Sequence, residues 1–216
     1  MQLLDVFSGS QNLRRTFQSH AFKVTSIDNT RYRNSAPDTL IMDFLDFDFK
    51  SYDQAYFQVL FFGLPCDAFS KASGGHHFTS SLEPKTEFAN ISLSLLNHVL
   101  SCIDHFKDAV FYIENPSGGL CHHRAIKARI HTSNLFMYRF FMSQFGFPTP
   151  KQTDLFTNNN QLALFDRFYR KNNRYQKINF DNLSDHQRHT YPTAFCDFIY
   201  KWSLLQLNSK SISNVY

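Results

Sequence analysis

The sequence predicts an α/β fold: a doubly wound, mostly parallel seven-stranded sheet with a small C-terminal extension. Three observations predict it. Short apolar runs alternate with segments of helical periodicity. Several of these runs end on Asp or Gly, residues common at strand ends. The 216 residues suffice for one α/β domain with an appendage.

The elements follow in order. Gln2 to Phe7 is a buried strand, Ser8-Gly9-Ser10 its turn, and Asn12 to His20 a short helix with Leu13 and Phe17 inward. Lys23 to Ile27 is the second strand, ending at Asp28, and Thr39 to Met42 the third, ending at Asp43. Gln58 to Phe62 is the fourth. From Thr86 to Cys102, Phe88, Ile91, Leu95 and Val99 recur at three- and four-residue steps, a helical pattern. Ala109 to Ile113 is the fifth strand, Leu135 to Met142 the sixth and Asp154 to Thr157 the seventh. Asn158-Asn159-Asn160 reads as a linker or turn. A basic, aromatic stretch follows, and Tyr191-Pro192 opens a closing helix with Phe195, Phe198, Ile199 and Trp202. Residues after Asn208 are polar and expected to fray. The division is thus 1–157 for the main domain, 158–190 for a small basic segment and 191–216 for a helix packing back on the domain, with its tail.

Charged residues are 19% and hydrophobic ones 43%, a globular balance. The 25 Phe serve as core filler. A net charge of +4 permits an anionic partner without demanding one. Cys66, Cys102, Cys121 and Cys196 lack C-x-x-C spacing, and no leader precedes them, so neither zinc nor disulfides are expected and a reducing cytoplasm is. The pairs His76-His77 and His122-His123 do not converge on one metal, and no metal is predicted. No apolar stretch is long enough for a membrane span.

Two segments carry chemistry. Gly63-Leu64-Pro65-Cys66-Asp67-Ala68-Phe69-Ser70 places a cysteine on the loop after a buried strand, and a later strand ends in Glu114-Asn115-Pro116. If these strands are parallel neighbours, Cys66 and Glu114 emerge at the same edge, where open α/β sheets bind ligands. A thiolate facing a carboxyl group fits few reactions, and C5 methylation of cytosine is one. In the N-terminal half, Asp5-Val6-Phe7-Ser8-Gly9-Ser10 is a glycine-bearing turn without G-x-G-x-x-G, which disfavours a dinucleotide. Asp28 is placed for ribose hydroxyls and Asp43 for an adenine amino group. Singly these are ordinary strand ends; in this order they suggest an adenosine-containing ligand such as S-adenosylmethionine.

At these residues the chain resembles the DNA (cytosine-5-)methyltransferases, most closely their short phage-type branch. Asp5-Val6-Phe7-Ser8-Gly9 looks like the family's first motif, and Pro65-Cys66-Asp67-Ala68-Phe69-Ser70 like its nucleophile motif. Glu114-Asn115-Pro116 is similar to its Glu-Asn-Val motif in the phage-branch form. The stretches 144–151 and 151–158 are similar to its Tyr-Gly-Val-Pro-Gln-x-Arg and Lys-Pro-Thr-Asp segments. The resemblance runs from Gln2 to about Asn158 and more loosely to Arg188 and Tyr191-Pro192. It departs at Leu64, which replaces a proline; at Asp67, which replaces a glutamine and puts a charge beside the thiol; and at Lys151 and Thr153, which replace a basic pair. The large target-recognition domain is missing.

The resemblance implies a Rossmann-like methyltransferase fold, S-adenosylmethionine as cofactor and DNA as partner. It implies Cys66 as nucleophile, Glu114 as acid at cytosine N3 and Lys151 holding cytosine O2 or a phosphate. The cofactor would meet Phe7, Ser8, Gly9, Asp28, Asn29, Asp43, Phe44 and Leu64. DNA would meet Ser70, Lys71, Lys85, Arg167, Arg170 and Lys171, with Lys71 to Pro84 as a lid over a flipped base. A short recognition site, a monomer and a cytoplasmic, DNA-associated location in a bacterial or phage-infected cell complete the expectation. The alternative is a catalytically weak, methyltransferase-like DNA-binding protein. An amino-group methyltransferase is disfavoured, since that chemistry wants Asn or Asp ahead of Pro-Pro-aromatic and no thiol.

Overall fold

The computed structural model describes residues 1–31, 35–70, 73–132, 135–160, 182–188 and 190–213. Its strands are β1 (Gln2–Val6), β2 (Lys23–Asp28), β3 (Leu40–Ile41), β4 (Val59–Gly63), β5 (Val110–Pro116), β6 (Phe136–Phe141) and β7 (Gln152–Thr157). Its helices are α1 (Asn12–Ser19), α2 (Glu87–His105), α3 (Arg124–Thr132), α4 (Asp185–Arg188) and α5 (Thr193–Ser213). The strands form one sheet in the order β3-β2-β1-β4-β5-β7-β6. β7 runs antiparallel to both its neighbours, β5 and β6, and the remaining pairs are parallel. The expected doubly wound, mostly parallel sheet is the one found.

Helices cover both faces, which is why β4 reads as an unbroken apolar run and why β1 is buried throughout Leu3–Val6, its Asp5 included. Leu4, Val6, Leu60 and Phe62 point to one face, against α2. Leu3, Val59 and Phe61 point to the other, against Leu13 and Phe17 of α1 and Phe195, Phe198 and Ile199 of α5. Burial of each such side chain contributes roughly 1.5–3 kcal/mol, so the central strands form the rigid floor from which the loops project.

The helix α2 is started by Thr86, whose side chain accepts from the Ala89 amide at 3.2 Å. It buries Val99, as the Phe88, Ile91, Leu95, Val99 series of the sequence expects, but takes Ala89, Ser92 and Leu96 inward in place of the other three. Phe88 and Ile91 stay 41% and 45% exposed and border a cavity described below. The third strand is shorter than expected, because Asp43 turns the chain by accepting the Leu45 amide at 2.9 Å. β7 begins two residues early, at Gln152, and β5 runs on through Pro116. α3 carried no clear periodicity and was not anticipated.

Two C-terminal expectations are corrected. The asparagines after β7 are anchors rather than a linker. Asn158 accepts from Phe111 N at 3.1 Å and donates to Ala109 O at 2.8 Å. Asn159 is fully buried and donates to Trp202 O at 2.9 Å. The closing helix also continues past Asn208 to Ser213, and Lys210 Nζ donates to Asp108 O at 3.0 Å. Among the described residues no helix is long and apolar enough to cross a membrane.

Candidate active site

The turn after β1 is held in an unusual backbone. Phe7 has φ +59° and Gly9 φ +45°. The left-handed conformation costs a residue with a Cβ about 1–2 kcal/mol. At Phe7 this cost is offset by amides of Phe7 and Ser8 that both donate to Ile27 O, at 2.9 and 3.2 Å. The Gly9 amide then donates to Asp28 Oδ2 at 2.8 Å, and the Thr30 amide to Oδ1 at 3.1 Å. These bonds aim the buried Asp28 carboxylate along the edge of the sheet.

Asp28 borders a cavity of about 260 Å³ with Phe7, Asn29, Asp43, Phe44 and the exposed apolar side chains of α2. Phe44 is mostly core: its ring meets Phe7 edge-on at 5.7 Å and also packs on Phe62. A second cavity, of about 220 Å³, shares Phe7, Asp28, Asn29, Pro65 and Asp67 with the first. At its far end stand Cys66, Glu114, Lys151 and Tyr191. The two cavities form one cleft along the carboxyl ends of β1, β2, β4 and β5.

Cys66 lies on a turn in which its carbonyl accepts from Phe69 N at 3.0 Å and Ser70 N at 2.8 Å. The Sγ is 3.9 Å from Asp67 Oδ1. Burial, with Asp67 as the next cause, pushes the thiol up to about 11, while Lys151 pulls the other way. The effect of Asp67 has the sign anticipated from the sequence, with burial the larger cause. Leu64 is buried, and its carbonyl accepts from Asn115 Nδ2 at 2.9 Å, which ties the Cys66 loop to β5.

Glu114 sits within the sheet, opposite Gly63 on β4 and Leu155 on β7. It is 3% exposed. Its Oε2 accepts from the Tyr191 hydroxyl at 2.7 Å, and its Oε1 lies 3.9 Å from Lys151 Nζ. The loop beyond it is locked to the Cys66 loop: Gly119 N donates to Phe69 O at 2.6 Å, and Ser70 bridges to Gly118. Gly118 is required there, because a Cβ would run into the Phe69 carbonyl. Behind the loop, Ser117 Oγ donates to Asp154 Oδ1 at 2.6 Å, and Asp154 also takes a two-pronged bond from Arg139 at 2.6 and 2.9 Å.

The structure therefore brings Cys66, Glu114, Lys151, Phe7, Ser8, Gly9, Asp28, Asn29 and Leu64 to one cavity, with Asp43 and Phe44 on the adjoining one. Ser70 lies on the same loop as Cys66. Lys85 is exposed and donates to Gly75 O at 3.0 Å, closing the segment that Phe78 pins by stacking on Phe69 at 5.4 Å. Lys71, Arg167, Arg170 and Lys171 lie outside the described residues. Tyr191 was missed as a site residue; the signal for it was Gly63, a glycine ending an apolar strand, which marks close approach of another group. Among the described residues no three His, Cys, Asp or Glu side chains group as metal ligands.

No family model and no curated protein matches the chain. Solved structures do. A methyltransferase of Entamoeba histolytica, EhMeth, is similar with a TM-score of 0.52 and 12% identity over 73% of this chain and 52% of its own. A putative DNA modification methyltransferase encoded within a prophage of E. coli is similar with a TM-score of 0.51 and 18% identity, over 73% of this chain and 46% of its own. The chain spans about half the length of either. What these likenesses establish is the fold alone, an α/β sheet architecture shared with these two proteins.

Proposed function

We propose that this protein transfers a methyl group from S-adenosylmethionine to carbon 5 of a flipped cytosine in DNA, through a covalent adduct of Cys66. The observation that carries the reading is the convergence of a thiol and a buried carboxyl group on one cavity that continues into the β1–β2 cleft. The residues of that cleft fit S-adenosylmethionine. Asp28 presents a carboxylate to ribose hydroxyls, Asp43 an acceptor to an adenine amino group, and Phe88 and Ile91 an apolar wall that a purine would cover. When bound, the cofactor supplies an electrophilic methyl group.

The remaining chemistry belongs to the chain. Carbon 5 of cytosine is a poor nucleophile. Addition of the Cys66 thiolate at carbon 6 forms a C–S bond, turns the ring into an enamine and makes carbon 5 reactive. The electron pair moves toward N3, where Glu114 delivers a proton from its carboxyl group. The carboxylate left behind faces Lys151 Nζ at 3.9 Å. After carbon 5 is methylated, loss of its proton and expulsion of the Cys66 thiolate restore the aromatic ring. The target base must leave the stack to reach this cavity. Ser70 and Lys85, with Lys71, Arg167, Arg170 and Lys171, are the proposed DNA contacts.

A second reading has one observation in its favour. The Asp67 carboxyl stands 3.9 Å from the Cys66 sulfur, and burial together with this neighbour pushes the thiol up to about 11, which disfavours the thiolate at neutral pH. That fits a methyltransferase-like protein that binds DNA and catalyses weakly. Incubation with tritiated S-adenosylmethionine and unmethylated mixed-sequence DNA, beside Cys66→Ala, separates the two. The first reading expects label in 5-methylcytosine that disappears with Cys66→Ala. Bound S-adenosylmethionine and DNA without label would instead establish the second.

A further inference from the structure

Tyr191 has no part in the steps above, yet its hydroxyl donates to Oε2 of Glu114 at 2.7 Å. The contact is built from several sides. A Cβ at Gly63 would fall 2.6 Å from the Tyr191 hydroxyl oxygen, so the glycine makes room for the phenol over β4. The rings of Phe61 and Phe195 flank it at 5.6 and 5.4 Å. Asn12 Nδ2 donates to the Tyr191 carbonyl at 2.6 Å. Burial and the neighbouring Glu114 push the phenol well above the usual tyrosine range, so it stays protonated and remains a donor. The other carboxyl oxygen, Oε1, is buried without a hydrogen-bond partner among the described residues and has Lys151 Nζ 3.9 Å away.

Resting on the methyl-transfer reading, we infer that Tyr191 is a positioning residue that assigns the two oxygens of Glu114. Its donated hydrogen bond makes Oε2 the accepting oxygen and confines the acid proton to Oε1, the oxygen left for the base. A carboxylic acid carries one proton, and placing it on Oε2 would set two hydrogens against each other. Transfer from Oε1 to cytosine N3 breaks one O–H bond and forms one N–H bond. The phenol then stabilises the resulting carboxylate without losing its own proton. The groups facing this carboxyl are Cys66 from the loop after β4, Lys151 from the segment before β7 and Tyr191 itself; Asp5 of β1 and Cys196 of α5 act on the phenol.

The test is Tyr191→Phe, which keeps the ring and the backbone bond to Asn12. We expect kcat to fall about tenfold or more with little change in KM for DNA, and the acidic side of the pH–rate profile to move. Independently of activity, the Glu114 side-chain carboxyl is followed by carbon-13 NMR in the free protein and identified by its loss in Glu114→Gln. Loss of a hydrogen bond that favours the carboxylate should move this resonance's pH response away from that of the wild type. A Tyr191→Phe protein with wild-type carboxyl titration and wild-type pH profile overturns the inference. If the wild type transfers no methyl group but the titration still shifts, the methyl-transfer reading fails and the Tyr191–Glu114 coupling stands. Should Tyr191→Phe not fold, Gly63→Ala, which displaces the hydroxyl, is expected to give the same shift.

Discussion

Glu114 and Cys66 face one cavity but are held in opposite ways. Glu114 is inside a strand, paired on both sides, with a phenol on one carboxyl oxygen. Cys66 is on a turn beyond β4, and its sulfur is no closer than 3.9 Å to the polar side-chain atom beside it, Asp67 Oδ1. Glu114 is held by the sheet; Cys66 is held by the backbone of its turn and a long sulfur contact to Asp67 Oδ1. This suits the proposed reaction, in which a proton is delivered to a fixed ring position while the sulfur must close on carbon 6 and withdraw again.

The comparison breaks most sharply at the fixed member. Glu114→Gln removes the transferable proton but keeps a side chain of the same shape for Tyr191. The expected loss in methyl transfer is about 10²–10⁴-fold, measured as 5-methylcytosine formed per minute, with thermal unfolding near wild type. Activity retained within a few-fold would remove Glu114 from the acid role.

The coupling between the two members is the next target. Gly118→Ala forces a Cβ against the Phe69 carbonyl and so opens the junction between the two loops. A destabilisation of about 1–3 kcal/mol is expected, read from urea unfolding, together with faster alkylation of Cys66. Unchanged stability would show that the loops are not clamped here.

The smallest effect concerns the nucleophile alone. With its thiol raised to about 11, Cys66 is in the unreactive protonated form at neutral pH. Its reaction with iodoacetamide should therefore rise about tenfold per pH unit above pH 7 and level off only near that value. Asp67→Asn removes the second-largest cause of the rise, so alkylation at pH 8 should increase by about threefold to tenfold. Cys102, Cys121 and Cys196 are buried and should label slowly under native conditions. A plateau already reached at pH 8 would contradict the raised thiol.

Much of this site was legible in the residues. β4 and β5 contain contiguous apolar runs and β1 and β2 are short buried strands, and Gly9, Asp28, Cys66 and Glu114 stand at or just beyond their carboxyl ends, in sequence positions a reader can mark. A parallel pairing of β4 with β5 was enough to bring Cys66 and Glu114 to one edge, since parallel strands deliver their loops to the same side. Local pattern could determine these features because strand burial is a property of contiguous residues.

Only the tertiary structure decided the rest. That β7 turns antiparallel between β5 and β6 depends on which edges pair, and pairing leaves no mark on one strand alone. Of the α2 series, Val99 enters the core as expected, while the sheet buries Ala89 and Leu96 and leaves Phe88 and Ile91 to the cleft. Asn159 looked like a turn residue until its amide was found paying its desolvation cost against Trp202 O. Tyr191, 77 residues from Glu114, reaches it only because Gly63 leaves the space. Such contacts join residues far apart in the chain through shape and a single hydrogen bond, and neither is encoded in any local periodicity.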